Sequence, residues 1–247
     1  MQKHLIPAIF AHQIAILSFR SFYPCFFRHC SLMKIIVYTY NIIVGASFLI
    51  SLLSFRFHYA WHLRFFSLLL GITFFVEAST MYMVKVAHVK SDLWVYNIFM
   101  AVEYTCYAYY YLLVLKTKWI RKMATIFLIV YPATGIISTF AIFKFFNWNS
   151  YEAITGSFFT ILFSVIFYYE LYMSSDNEAL IKNSEFWIAT GMIIFYALLL
   201  PFVGVFNFLG KTSKELASFF AYGLQFLGIF MYVLFSYAFL CRIIIKK

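Results

Sequence analysis

Seven uninterrupted apolar runs set the terms for this chain. They cover residues 35–55, 65–84, 93–115, 123–143, 153–173, 186–209 and 216–240, with short polar stretches between them. Each is about 20–25 residues long, which as a helix rising 1.5 Å per residue crosses about 30 Å of hydrocarbon. Strands of a membrane barrel alternate apolar and polar residues over about 10 positions. These runs are continuously apolar for longer than that, so the sequence predicts helices. A typical soluble domain is about 25% charged, whereas these 247 residues are 11% charged and 64% hydrophobic. A soluble fold could not cover that much apolar surface, but lipid can serve as the solvent for it. The expected fold is all-α: a polytopic transmembrane bundle of seven helices occupying residues 33–247.

Residues 1–32 read differently. His4, His12, Arg20, Pro24, Arg28 and His29 interrupt the segment, and its apolar stretch is too short to span. It reads as an interfacial helix, or as a non-native extension ahead of a start at Met33. The five tryptophans, Trp61, Trp94, Trp119, Trp148 and Trp187, all fall at or near run ends, as an interfacial aromatic belt requires. Pro132 and Pro201 lie inside the fourth and sixth runs, where each removes a backbone donor.

The net charge is +10, but the cations are scattered between apolar runs and flank membrane spans. That pattern fits contact with the lipid bilayer and excludes a nucleic-acid partner. Counting on alternate sides gives orientation. One side holds Arg56, Arg64, Lys116, Lys118, Arg121, Lys122, Lys182, Arg242, Lys246 and Lys247. The other holds Lys34, Lys85, Lys90, Lys144, Lys211 and Lys214. The bias puts the C-terminus in the cytoplasm. Counting Lys3, Arg20 and Arg28 on the second side nearly removes it.

Two carboxylates, Glu77 and Glu103, lie deep inside the runs. Glu77 lies about 10 Å from the outer end of the second span, and Glu103 about 15 Å from the outer end of the third. A charged group at that depth costs about 2.5–3.5 kcal/mol on insertion scales, so it faces the protein interior. Asn97 and Gln225 fall near the same level, Asn207 lies near the outer end of the sixth span, and Tyr82, Tyr104 and Tyr107 supply hydroxyls. These groups outline a polar pocket in the outer half of the bundle, with Glu77, Glu103, Asn97 and Gln225 as its candidate ligand- or proton-binding residues. The pocket suits a proton, an ion or a small cationic or hydrogen-bonding molecule, as in a sensor or transporter. The alternative is a membrane scaffold or partner subunit in which Glu, Asn and Gln merely join helices.

Other chemistry finds little support. No GxxxxGK[ST], HExxH, GxSxG or GxGxxG motif occurs, so an enzyme is not expected. The last span has no lysine for a retinal Schiff base. Cys25, Cys30, Cys106 and Cys241 form no close pair, and no metal or cofactor is expected. His58 and His62 are four apart but have Arg56 and Arg64 beside them, so they read as interfacial histidines. Glu170 sits near the cytoplasmic end of the fifth span and is expected to snorkel outward. Gly45, Ser47 and Ser51 are expected to allow close helix packing.

The segments RFFSLLLGITFF and VEYTCYAYYYLLVL of the second and third runs align with EFWIATGMIIFY and LQFLGIFMYVLF of the sixth and seventh. This suggests a 3+1+3 pseudo-repeat, two three-helix units joined by the fourth span, with a site between halves. The stretches LWVYNIFMAVEYTCYAYYY and SEFWIATGMIIFYALLLPF carry a resemblance to small, aromatic-rich bacterial inner-membrane proteins with seven predicted helices. The resemblance implies the span count and a multi-pass place in the cytoplasmic membrane. It transfers no activity.

Overall fold

The computed structural model describes residues 27–87, 93–141, 149–174, 180–212 and 214–244. Among these residues, seven long helices carry the fold: α1 (Phe27–Ser51), α2 (Trp61–Lys85), α3 (Leu93–Val114), α4 (Lys118–Ala141), α5 (Ser150–Met173), α6 (Ser184–Thr212) and α7 (Lys214–Ile244). A short helical extension, Leu53–Arg56, continues α1, and a single 3-10 turn, Leu180–Lys182, precedes α6. No strand occurs among the described residues. Helix α1 begins ahead of Met33; residues 1–26, Cys25 and Trp148 lie outside the described residues.

Six of the seven helices are long and apolar enough to cross a membrane. Helix α3 is not among them. The reason is chemical: α3 carries six tyrosines together with Asn97 and Glu103, and each lowers its hydropathy. All of them except Tyr109 lie on the inside of the protein. Tyr96, Asn97, Glu103, Tyr104, Tyr107, Tyr110 and Tyr111 are all buried.

Packing follows chain order with one exception. Neighbours α1–α2, α2–α3, α3–α5, α5–α6, α6–α7 and α7–α1 close into a ring, and α4 lies against α3 with a lesser contact to α5. Aromatic side chains fill the interior. Phe66 of α2 meets Tyr107 and Tyr110 of α3 and Phe235 and Phe239 of α7, with ring centroids 5.0–6.5 Å apart. Such pairs add about 0.5–1.5 kcal/mol each beyond burial. In lipid this packing matters more than usual, because burying apolar surface gains little when the surroundings are equally apolar.

Small residues set the closest approaches. At the α1–α2 interface, a Cβ on Gly45 would come within 3.0 Å of Phe74, and one on Gly71 within 2.8 Å of Phe48. Ser51 and Ser67 share a hydrogen bond of 2.7 Å across the same seam. Trp61 and Trp119, at the starts of α2 and α4, are exposed, as the aromatic-belt reading expects.

Candidate functional site

The interior polar groups form a chain of tyrosines and glutamates across the ring. Glu77 of α2 is 4% exposed. Its Oε1 accepts from Tyr40 of α1 and its Oε2 from Tyr96 of α3, both at 3.2 Å. Thr80, one helical turn on, bonds the Tyr96 hydroxyl at 3.0 Å and its own turn through the Glu77 carbonyl. Glu103 of α3 is 6% exposed. Its Oε1 accepts from Tyr107 at 2.8 Å, one turn along the same helix, and Tyr196 of α6 is within hydrogen-bonding reach. Tyr232 of α7 joins the two halves. Its ring sits edge-on to Tyr40 at 5.8 Å, and its hydroxyl reaches Tyr40 and Thr73. The two carboxylates lie within electrostatic reach of one another, as neighbouring α2 and α3 allow. Five helices therefore contribute side chains to one buried chain.

A second polar cluster sits where α3, α4 and α5 meet. Asn149 caps α5, its Oδ1 accepting the Glu152 backbone N–H at 3.2 Å. Its Nδ2 donates to Ser138 of α4 at 2.6 Å and to Glu152 Oε2 at 2.9 Å. Its backbone N–H donates to Asn97 Oδ1 at 3.3 Å. Glu152 is 5% exposed, with its other oxygen packed directly against Gly135.

The opposite end of the bundle is also pinned. His62 Nε2 and Glu185 Oε1 are 2.6 Å apart. Arg64 donates to the Tyr59 carbonyl, and the Tyr59 hydroxyl donates to the Phe239 carbonyl, which fixes the α1–α2 turn to α7. Glu170 accepts the backbone N–H groups of Lys116 and Thr117 at 2.8 and 2.9 Å. It holds the α3–α4 turn, because N–H groups at a helix start that lack intrahelical partners attract a carboxylate.

The candidate residues thus divide. Glu77 and Glu103 are buried on adjoining helices, and Tyr107 serves Glu103. Asn97 bonds the α4–α5 connection. Gln225 sits half-buried on α7. Tyr104 turns to Ser157 at 2.8 Å, while Tyr82 is 62% exposed and lies outside the buried chain. The side chain of Asn207 lies outside the described residues. His58 and His62 do not act as a pair: His58 is exposed in a left-handed turn (φ 49°) and His62 engages Glu185. Glu152 and Glu185 read as loop acids in the sequence, yet both are buried. For Glu152 a signal was present, since Asn149-x-x-Glu152 has the spacing of a helix start with its cap. Tyr40, Tyr96, Tyr196 and Tyr232 carried no signal that separates them from other tyrosines.

Among the described residues, no group of three or more His, Cys, Asp or Glu is placed to hold a metal ion. No protein-family profile, curated protein or solved structure matches the chain. The fold itself defines the class that can be stated: an all-helical protein with helices built to cross a membrane.

Proposed function

We propose that the chain is a seven-span protein of the cytoplasmic membrane, C-terminus inside, that binds a proton or a small cationic molecule at the Glu77–Glu103 chain and acts as a sensor or transporter. The observation that carries this reading is the pair of buried carboxylates on adjoining helices, both held by tyrosine hydroxyls. Hydroxyls orient a carboxylate without neutralising it, and tyrosine ring faces attract cations. An arrangement of this kind recognises positive charge. It also touches five helices, so a change in occupancy reaches most of the bundle.

The seventh span in this reading is α3, whose polar side chains are buried against its neighbours. Its length of 22 residues covers about 33 Å at 1.5 Å per residue. The place of α4 outside the ring, with α1–α3 before it and α5–α7 after it, supports two three-helix units with Glu103 and Tyr196 facing each other across their boundary.

The test is infrared difference spectroscopy on the purified chain in lipid during a pH titration, with small organic ammonium ions added in separate runs. A carboxyl band that responds to pH or ammonium and disappears in Glu103→Gln supports the reading. Spectra of wild type and of both Glu77→Gln and Glu103→Gln that are identical throughout would reject it. A second reading, a scaffold with no ligand, draws on the tight aromatic packing around Glu103 by Tyr104, Tyr107 and Tyr196. Identical spectra would favour it.

A further inference from the structure

Three contacts around Glu77 close into a loop, and the loop fixes where hydrogens lie. Thr80 Oγ1 is 3.0 Å from the Glu77 carbonyl and 3.0 Å from the Tyr96 hydroxyl. The Tyr96 hydroxyl is in turn 3.2 Å from Glu77 Oε2. All three residues are buried: Thr80 is 0%, Tyr96 1% and Glu77 4% exposed. A threonine or tyrosine hydroxyl carries one hydrogen. With Glu77 ionised, the loop therefore holds two hydrogens for three contacts. The carbonyl can only accept, so the Thr80 hydrogen goes to it. Thr80 Oγ1 is then the acceptor toward Tyr96, and the Tyr96 hydrogen goes to Thr80. Nothing is left between Tyr96 and Glu77 Oε2, where two oxygens face each other. Reversing the hydrogens only moves the gap. Tyr96 then bonds Oε2 and Thr80 bonds Tyr96, but Thr80 faces the Glu77 carbonyl with no hydrogen between them. Such a gap is costly in a buried, low-dielectric site.

A proton on Glu77 Oε2 supplies the third hydrogen. Oε2 donates to Tyr96, Tyr96 donates to Thr80, and Thr80 donates to the Glu77 carbonyl. Every contact in the loop is filled and each hydrogen is used once. The other carboxyl oxygen, Oε1, still accepts from Tyr40, as the carbonyl oxygen of a carboxylic acid does. The titratable groups that face Glu77 point the same way. They are Tyr40 from α1, Tyr96 and Glu103 from α3, and Tyr232 from α7. Three are phenols, and the fourth is a carboxyl that opposes a second negative charge beside it. The printed bond to Glu103 closes no such loop. Its Oε1 accepts from Tyr107, and that bond asks for no proton on the carboxyl.

We propose that Glu77 is a standing proton site, with the proton on Oε2 and the hydrogens of Tyr96 and Thr80 aligned behind it. Resting on the reading of the Glu77–Glu103 chain given above, this assigns the two occupants: the proton to Glu77 and the small cation to Glu103. The test is infrared difference spectroscopy between wild type and Glu77→Gln, in lipid at one neutral pH, with no titration and no added ligand. Wild type is expected to show the carbonyl-stretch band of a protonated carboxyl, which Glu77→Gln loses and Glu103→Gln keeps. Tyr96→Phe should move that band to higher frequency, because the acid loses its acceptor. Glutamine places an amide N–H where the acid has its O–H, so Glu77→Gln should fold and melt within about 2 °C of wild type. Loss of carboxylate bands instead of an acid band in Glu77→Gln would overturn the proposal. So would an unmoved band in Tyr96→Phe, or a Glu77→Gln chain that melts far below wild type or fails to fold. A Glu77 acid band in a chain whose spectra ignore both pH and ammonium would uphold the proton site and reject the sensor or transporter reading. A responsive Glu103 with no acid band from Glu77 would reject the proton site alone.

Discussion

Replacing Gly156 with alanine tests the packing of the interior directly. Gly156 of α5 faces the ring of Tyr104, and a Cβ there would lie 2.7 Å from Tyr104 Cε2 with two further ring atoms closer still. The ring has little room to retreat. Tyr107, Tyr131 and Tyr196 surround it with centroids 5.5–6.2 Å away, and its hydroxyl is tied to Ser157 at 2.8 Å. Overpacking costs about 1–3 kcal/mol, and breaking a buried hydrogen bond leaves groups whose desolvation costs about 1–3 kcal/mol. Alanine's better helix propensity returns about 1 kcal/mol. The expected net loss is about 3 kcal/mol, or roughly 6–12 °C in unfolding temperature for a chain of this size. Gly223→Ala is the control, because nothing lies within 4 Å of its added Cβ; it should hold or slightly raise the melting point. In the Gly156→Ala background, Tyr104→Ala should cost less than in wild type, since the clash is already relieved. A Gly156→Ala protein as stable as Gly223→Ala would refute the claim that the Tyr104 ring is locked.

Further substitutions at two positions probe the turns at the His62–Glu185 end of the bundle. Glu170→Ala frees the N–H groups of Lys116 and Thr117 and should cost about 1–2 kcal/mol, the value of charge-assisted bonds at a partly exposed site; faster proteolysis of the α3–α4 turn checks it, and an unchanged cleavage rate counts against the clamp. His58 adopts φ 49°, so His58→Gly should be neutral or stabilising by up to about 1 kcal/mol, whereas His58→Val should destabilise by about 1–2 kcal/mol. Equal melting points for these two variants would mean that the turn relaxes.

How far the sequence could be read depends on which interactions leave a trace in it. The helices were legible because lipid demands long apolar runs, and Glu77 and Glu103 stood out because carboxylates are rare inside such runs. Their partners did not stand out. Tyr40, Tyr96, Tyr196 and Tyr232 are four of 20 tyrosines, and nothing in a one-dimensional pattern tells an inward hydroxyl from one on an exposed side chain such as Tyr169. Glu152 and Glu185 fall just ahead of the fifth and sixth apolar runs, because each begins a helix, where polar neighbours mask burial. The position of α4 was likewise invisible: α4 is apolar like the rest, and only packing sets it outside the ring. The count of six membrane-capable helices against seven apolar runs turns on the tyrosines of α3, which a count of apolar letters includes and a hydropathy threshold penalises.

That last point makes α3 the place to test the architecture. If α3 crosses the membrane, it does so against its own composition. Glu103 alone costs about 2.5–3.5 kcal/mol at mid-span, while Leu93, Val95, Ile98, Phe99, Val102, Leu112, Leu113 and Val114 return about 0.3–0.6 kcal/mol each. The balance is near zero before Asn97 and the tyrosines are counted, so α3 should insert poorly by itself. It becomes stable by exchanging lipid for α2, α5 and the tyrosine hydroxyls, as the burial of Glu103 requires. Insertion of α3 as an isolated segment, read by glycosylation mapping, should be inefficient and should rise sharply with Glu103→Leu. In the full chain, accessibility tags at Ala87 and at Lys116 should report opposite sides of the membrane. Efficient insertion of isolated wild-type α3 would show that its polar face needs no partners, and tags on one side would remove α3 from the spans and with it the placement of Glu103 within the bilayer.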